Sequence, residues 1–337
     1  MKEIRVAMIG FGGIARAHYM GYARLSVEGA PVKLVAVCDI EPERFDAKLK
    51  INAYNTSESL PESIRRYTDV DELIRSEEFD MADICLPTYL HKDYSIKLMA
   101  AGKHVMCEKP MALSGEDCEE MLAASKKFGR RLMIGQCLRF NATYEYLKDA
   151  VASGRYGALR RLFMERRSAQ PKWSFDHWFE DTARSGGCIL DMHIHDIDMA
   201  RWLLGEPKAV SALAYDTVAR WAVENSRLYY DDTIVVINGS WDEPRSSRFY
   251  WGFNAGFEGA SIICDNGRLT VYPDEGEPFE PEIKPKDHMA EEIRFFASSI
   301  IGETENEINT PESAMADVKL IEKLRESADN GGEIVKL

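Results

Sequence analysis

The run Arg5-Val6-Ala7-Met8-Ile9-Gly10-Phe11-Gly12-Gly13-Ile14-Ala15-Arg16-Ala17-His18 constrains this chain more than any other stretch. An apolar segment breaks at a glycine turn and resumes with helical character. Such a strand–turn–helix is the phosphate-binding corner of a dinucleotide fold. Gly10 permits the sharp turn, Gly12 lets the backbone approach a pyrophosphate, and Ala15 takes the third small position, where helix and strand pack closely. Free amides at the helix start, backed by the positive end of its dipole, then hold the anion. Phe11, Gly12, Gly13 and Ile14 are the candidate cofactor contacts here. Glycine-rich turns of this kind also occur without a nucleotide, so a second signal is needed.

Val32 to Cys38 supplies it: a nearly continuous apolar run, as in a strand covered on both faces. It ends at Asp39, where the fingerprint places an acid for the adenosine ribose hydroxyls. A 2′-phosphate would be repelled there unless a cation intervened, and Arg44 is the only nearby candidate counter-charge. NAD is therefore favoured over NADP. The alternative is that Asp39 merely starts a loop.

At 337 residues the chain is long enough for two domains with cores of their own. Its 45% hydrophobic and 29% charged residues are those of an ordinary soluble globular protein. The net charge of −14 argues against nucleic acid and anionic membrane surfaces, which both call for basic patches. No apolar stretch approaches the roughly 20 residues of a membrane span. The N-terminus runs straight into the first strand, and Gly10, Gly12 and Gly13 interrupt any signal-peptide core, so the cytoplasm is expected. Seven cysteines without a Cys-x-x-Cys pair make no disulfide framework; Cys38, Cys85 and Cys107 read as buried thiols in a reducing compartment.

Over residues 1–137 strand and helix signals alternate, which predicts a parallel, doubly wound α/β sheet. Strands are predicted at Ile4–Ile9, Val32–Cys38, Met81–Leu86, His104–Cys107 and Arg131–Gln136, with a short one near Tyr67. Ligands of such sheets bind outside the carboxyl ends of the strands. That rule points at Pro87-Thr88-Tyr89-Leu90-His91 and Glu108-Lys109-Pro110. Residues 138–337 are expected to form a second domain. There a helix (Tyr144–Ala152) and a strand (Leu159–Arg167) lead into an aromatic, charged loop from Gln170 to Arg184. A helix from Ile189 to Leu204 follows. Strands at Ala209–Tyr215, Thr233–Trp241, Arg248–Phe253, Ala260–Cys264 and Arg268–Tyr272 predict an open, mainly antiparallel sheet with helices on one side. Asp265-Asn266-Gly267 is a hairpin turn, and helices near Met289–Ile301 and Pro311–Asn330 close the chain.

Two constellations carry chemistry. Lys109, just past a core strand and before Pro110, can have its pKa tuned by its surroundings and so move a proton near neutrality. It can equally be a surface lysine at a helix start. The second is Asp191-Met192-His193-Ile194-His195-Asp196-Ile197-Asp198. On one helix, Asp191, His195 and Asp198 share a face, with His193 nearly opposite and Ile194 and Ile197 turned to the protein body. A carboxylate one turn from an imidazole fixes its tautomer and raises its basicity, as a general base requires. The same residues could be a helix-face network. A shared metal ion suits them poorly, because His193 and His195 diverge by about 200° around a helix.

Together these segments resemble the glucose–fructose oxidoreductase / inositol dehydrogenase / MocA family. The likeness rests on Gly10-x-Gly12-Gly13-Ile14-Ala15, Asp39, Pro87-Thr88-Tyr89-Leu90-His91, Glu108-Lys109-Pro110, and Gly186-Gly187 followed by Asp191-x-x-x-His195-x-x-Asp198. It covers nearly the whole chain in order. It implies a Rossmann domain, a second α/β domain on an open sheet, NAD(P)-dependent redox chemistry on sugars or polyols, and homodimers or homotetramers formed through that sheet. Lys109, Asp191 and His195 then become the catalytic set. The cofactor set becomes Phe11, Gly12, Gly13, Ile14, Asp39, Arg44, Leu86, Pro87, Thr88, His91, Glu108 and Lys109. Lys109, Arg139, Trp178, Asp191, His195 and Asp198 become the substrate set, with no metal. His195-Asp196-Ile197-Asp198 is closer to the inositol type of motif than to the sugar-reductase type. His193 and Cys188 depart from the pattern, standing where a glycine or small residue is common.

The implied reaction oxidises a secondary ring hydroxyl. His195 takes the hydroxyl proton as hydride leaves for NAD, and Lys109 stabilises the developing alkoxide. Trp173, Asp176, His177, Trp178 and Arg184 could recognise the sugar or could simply pack the loop. An inositol 2-dehydrogenase proper, an enzyme that retains NAD and cleaves glycosides through transient oxidation, and an NAD-sensing regulator are the competing readings.

Overall fold

The computed structural model describes residues 3–46, 49–50, 55–56, 60–172 and 174–337, with backbone alone at 49–50 and 55–56. The chain forms two compact units. The first comprises Met1–Cys137 and Asp287–Met315, the second Leu138–Lys286 and Ala316–Leu337.

In the first unit six strands pair in the order Arg65–Tyr67, Val32–Cys38, Ile4–Ile9, Met81–Ile84, His104–Glu108, Leu132–Gly135, and all pairs are parallel. The sequence order reverses beside Ile4–Ile9, the switch point where ligands of such sheets bind. Register lines up the carboxyl ends: Ile9 pairs with Ile84, Ile84 with Cys107, and Cys107 with Ile134. Gly10, Leu86 and Lys109 therefore leave the sheet along one edge. The strands are buried on both faces, with Ile4, Val6, Met8, Met81, Met106 and Met133 in one core, which is why they read as continuous apolar runs.

The helix His288–Ile300 also belongs to this unit. Assigning all of 138–337 to the second domain is therefore corrected. The apolar stripe Ala290, Ile293, Phe296 and Ala297 joins Tyr22 and Leu25 in the first core. A side chain at Gly21 would lie 3.1 Å from Ile293 Cδ1. Beyond the helix, Asn309 Nδ2 donates to the Ile134 carbonyl at 2.8 Å.

The second unit is an eight-stranded sheet. Its order is Arg268–Pro273, Ala260–Asp265, Tyr250–Phe257, Leu159–Arg167, Ile234–Ser240, Val223–Tyr229, Ala209–Tyr215, Val335–Lys336. All pairs are antiparallel except Ile234–Ser240 with Leu159–Arg167. One face is buried under helices, with Leu162, Met164, Val235, Ile237, Phe253 and Ala255 inward, while Phe163, Leu213, Tyr215 and Ile234 are exposed on the other. The α/β reading, a Rossmann sheet plus an open, mainly antiparallel sheet, is thus borne out.

Strand Val335–Lys336 at the sheet edge is too short to leave a sequence signal, and two larger elements also differ from expectation. Strand Val223–Tyr229 gives no sequence signal because two of its inward positions, Glu224 and Ser226, are polar yet buried. The helix expected over Ile189–Leu204 is two helices, Cys188–Asp191 and Ile194–Leu204.

Candidate active site

The glycine corner is built on Asp39. Its Oδ2 accepts the Phe11 amide at 2.6 Å and its Oδ1 accepts the Glu41 amide at 2.9 Å. The carboxylate thereby fixes the turn and keeps lone pairs for further donors. Arg44 pairs with Glu41, and its Nε lies 3.9 Å from Asp39. A cation already held by two carboxylates is poorly placed to receive a 2′-phosphate. The Phe11 ring is fully buried beneath the Arg16 guanidinium at 4.5 Å, so only its backbone faces the corner.

Gly10 has φ +88°, and a Cβ there would meet the Cys85 carbonyl oxygen at 2.7 Å. Helix Gly13–Val27 starts at Gly12 with no side-chain cap and no acid in its first turn. An uncapped amide cluster beside a carboxylate fits a dinucleotide, the amides for pyrophosphate and Asp39 for ribose hydroxyls.

Along the same edge, Leu86 and Pro87 are half-buried whereas Thr88 and His91 are buried. His91 Nδ1 lies 2.8 Å from the Pro110 carbonyl and Nε2 2.8 Å from the Leu86 carbonyl. The ring braces one loop against the other from inside. Burial lowers its pKa and the two carbonyls pull it back up. Lys109 keeps partial exposure, and its backbone N–H donates to Glu108 Oε2 at 3.1 Å. Glu108 Oε1 lies 2.9 Å from Nε2 of His18, a fully buried histidine. His18 went unassigned in the sequence, although its spacing from Ala15, Tyr22 and Leu25 puts it on the buried helix face.

In the second unit, Gly186 and Gly187 both have φ +77°, and a Cβ at Gly187 would come within 2.6 Å of the Arg220 carbonyl oxygen. Cys188–Asp191 then makes one helical turn. The Cys188 carbonyl accepts from both Met192 and His193, at 2.9 and 3.0 Å, and the axis breaks before Ile194. The single-helix placement of Asp191, His195 and Asp198 is corrected accordingly. The break carries His193 toward the sheet. Its Nε2 lies 2.9 Å from Ser226 Oγ and its Nδ1 3.2 Å from Glu224 Oε1. Burial pushes the His193 pKa down to about 3 and the Glu224 carboxyl well above its usual range. The pair is therefore a neutral acid facing a neutral imidazole. Gly239 makes room for it, since a Cβ there would overlap the Glu224 carboxyl.

From Ser185 to Ala200 every residue is buried except Asp191 and His195. The structure thus keeps those two accessible while sealing their neighbours. Asp198 and Arg139 are 1% and 4% exposed and turn to each other, with Arg139 Nε 3.0 and 3.2 Å from the two carboxylate oxygens. Burial would lower the Arg139 pKa, but Asp198 holds it above its usual value.

The loop before Gly186 packs onto this segment. Trp178 stacks on Phe179 at 3.9 Å, and Phe179 clusters with Cys188, Met192 and Trp241. Arg184 pairs with Asp176 at 2.8 Å, and His177 with Glu180 at 2.9 Å. Trp173 lies outside the described residues. Sequence reasoning also missed Trp221, which lies between Arg220 and Arg325, with the guanidinium carbons 4.1 and 4.8 Å from its ring centre. Arg325 also donates to the Gly186 carbonyl at 2.5 Å.

This architecture is that of a two-domain, NAD-binding oxidoreductase. Residues 4–136 match a family profile described as oxidoreductase family, NAD-binding Rossmann fold, and residues 144–270 match the GFO/IDH/MocA C-terminal domain. The chain is 31% identical over 270 residues to myo-inositol 2-dehydrogenase of Thermotoga maritima, covering 80% of this chain and 70% of that one. It is 28% identical over 222 residues to levoglucosan dehydrogenase of Pseudarthrobacter phenanthrenivorans, covering 63% and 54%. The crystal structure of aldose-aldose oxidoreductase from Caulobacter crescentus superposes with a TM-score of 0.84 over the full length of both chains at 24% identity, a likeness of fold. The protein belongs to the glucose–fructose oxidoreductase / inositol dehydrogenase / MocA family, and it is an oxidoreductase with NAD as cofactor.

Proposed function

We propose that the protein oxidises a secondary ring hydroxyl of a sugar, glycoside or cyclic polyol. When bound, NAD supplies the hydride acceptor. His195 takes the hydroxyl proton, Asp191 orients its ring, and the Lys109 ammonium stabilises the developing alkoxide. The observation carrying this reading is that Asp191 and His195 alone stay accessible in an otherwise buried run of residues. The inositol and levoglucosan dehydrogenases among its relatives support the substrate class. Trp178, half-buried and held by Phe179, offers an apolar platform to a sugar ring. Arg139 and Asp198, buried and paired with each other, are kept as candidates for the substrate side. The cytoplasm suits seven buried cysteines that form no disulfide. A homo-oligomer would cover the exposed Phe163, Leu213, Tyr215 and Ile234.

A panel of inositols, free hexoses and glucosides, read by NADH formation, tests the substrate class. Denaturing the purified protein shows whether NAD co-purifies. On the best substrate, Lys109→Ala and His195→Ala are each expected to lower kcat by about 10²–10⁴-fold, with NAD affinity retained. Wild-type kcat in both variants would remove the mechanism. NAD turning over without net NADH would place the oxidation inside a longer reaction.

A further inference from the structure

We propose that Arg325 is a positioning residue: from the last turns of helix Pro311–Asp329 it holds the Gly186-Gly187 turn, and through that turn it sets where Asp191 and His195 stand. The inference rests on Asp191 and His195 being catalytic. Arg325 is half-buried and gives its guanidinium to backbone. Nη2 donates to the Gly186 carbonyl at 2.5 Å, and Nε is buried with no hydrogen-bond acceptor among the described residues. Burial lowers its pKa to about 10 against the pull of Glu322, so the group is still charged at neutral pH. Desolvating a cation for a neutral carbonyl is a poor exchange for stability, so stability does not account for the contact.

The Trp221 ring steadies the guanidinium from one side, 4.8 Å from its carbon, with Arg220 on the ring at 4.1 Å. Trp221 has φ +50°, a conformation that bulky side chains seldom take and that persists only where the surroundings impose it. Here its backbone N–H donates to Asp216 Oδ1 at 2.9 Å and its Nε1 to Asp329 Oδ1 at 3.0 Å. Arg220 reaches the same Asp329 at 2.7 Å, so the stack is anchored on the helix that carries Arg325. The two glycines make room for these neighbours. A Cβ at Gly186 would lie 2.7 Å from Arg325 Nη2, and one at Gly187 would lie 2.6 Å from the Arg220 carbonyl oxygen.

From the turn, backbone hydrogen bonds lead directly to the two residues. The Gly187 carbonyl accepts the Asp191 amide at 3.0 Å, the Cys188 carbonyl accepts the Met192 amide at 2.9 Å, and the Met192 carbonyl accepts the His195 amide at 3.3 Å. Only the single turn Cys188–Asp191 separates the held carbonyl from the break before Ile194. A displaced Gly186 carbonyl therefore moves Asp191 and His195 together. A shift of about 1 Å at a reacting group can cost about a hundredfold in rate.

The test reads the turn directly in the full-length protein, without turnover. In Arg325→Ala, amide hydrogen exchange over residues 186–195, followed by mass spectrometry, is expected to rise about tenfold while strand Leu159–Arg167 exchanges as in wild type. Lys323→Ala, an exposed position on the same helix, should leave both segments unchanged. On the best substrate of the panel, kcat of Arg325→Ala should fall about tenfold or more with KM for NAD unchanged. Guanidinium chloride at about 20 mM, far below the molar range that unfolds proteins, should restore part of that kcat where sodium chloride does not. Wild-type exchange or wild-type kcat in folded Arg325→Ala would overturn the proposal, as would a loss of kcat that guanidinium does not relieve. Should that variant unfold, Trp221→Leu, which removes the stack and keeps Arg325, must show the same rise in exchange and loss of kcat, and wild-type values there would overturn it. Wild-type kcat in His195→Ala would instead sink the catalytic reading and leave the exchange result standing.

Discussion

Glu224 and His193 show how burial decides protonation where an ion pair would otherwise be assigned. The unfolded carboxyl loses its proton above about pH 4.5, while the folded one keeps it because burial raises its pKa. Stability from this group is full below about 4.5 and is lost as pH rises toward the folded value. His193 runs the other way. Its folded pKa is about 3 against an ordinary 6.5, so its contribution is full above 6.5 and fades as pH falls toward 3. Glu224→Gln keeps the shape and cannot ionise. Relative to wild type it is expected to gain stability as pH climbs above about 4.5 toward the folded value of Glu224, by up to about 1.4 kcal/mol per pH unit. Urea unfolding at several pH values measures this, and parallel curves for the two proteins would contradict the neutral pair. None of it was readable from the sequence, since a buried Glu in a strand mimics an exposed one.

The element that matters most is the broken helix after Gly186-Gly187. Gly187→Ala must accept a positive φ and a carbonyl 2.6 Å from its Cβ, whereas Gly205, with φ +79°, has open space around it. Gly205→Ala is expected to cost about 1 kcal/mol, and Gly187→Ala clearly more. Because Asp191 follows within a turn, Gly187→Ala should also lower kcat beyond what its fraction folded explains. Equal loss in the two variants, by thermal melting and kinetics, would remove this role for Gly187. The i, i+4 spacing of Asp191 and His195 was legible because both stay half-exposed through the break. The link of Arg139 to Asp198 was not, since the partners lie 59 residues apart and no local pattern marks them. The strand Val223–Tyr229 stayed hidden for the same reason as Glu224: its inward face is partly polar.

At the scale of the molecule, fold class was legible because buried parallel strands write themselves as apolar runs, and an open sheet writes itself as alternation. The open face of that sheet gives an expected outcome. The proposed homo-oligomer should dissociate to monomers in analytical ultracentrifugation when Phe163→Arg and Ile234→Arg are combined, and an unchanged sedimentation coefficient would remove this face as the place of self-association. What the sequence left open was where the stripe of His288–Ile300 is spent, because an apolar face reports burial without naming its partner. Its partner is the first unit, so the nucleotide-binding half is stitched from two distant stretches of polypeptide. A fragment ended at Cys137 would leave Tyr22 and Leu25 bare to water and should aggregate. The same fragment joined by a flexible linker to residues 287–315 should stay soluble and bind NAD. Anyone who transplants this half must carry the distant helix along with it.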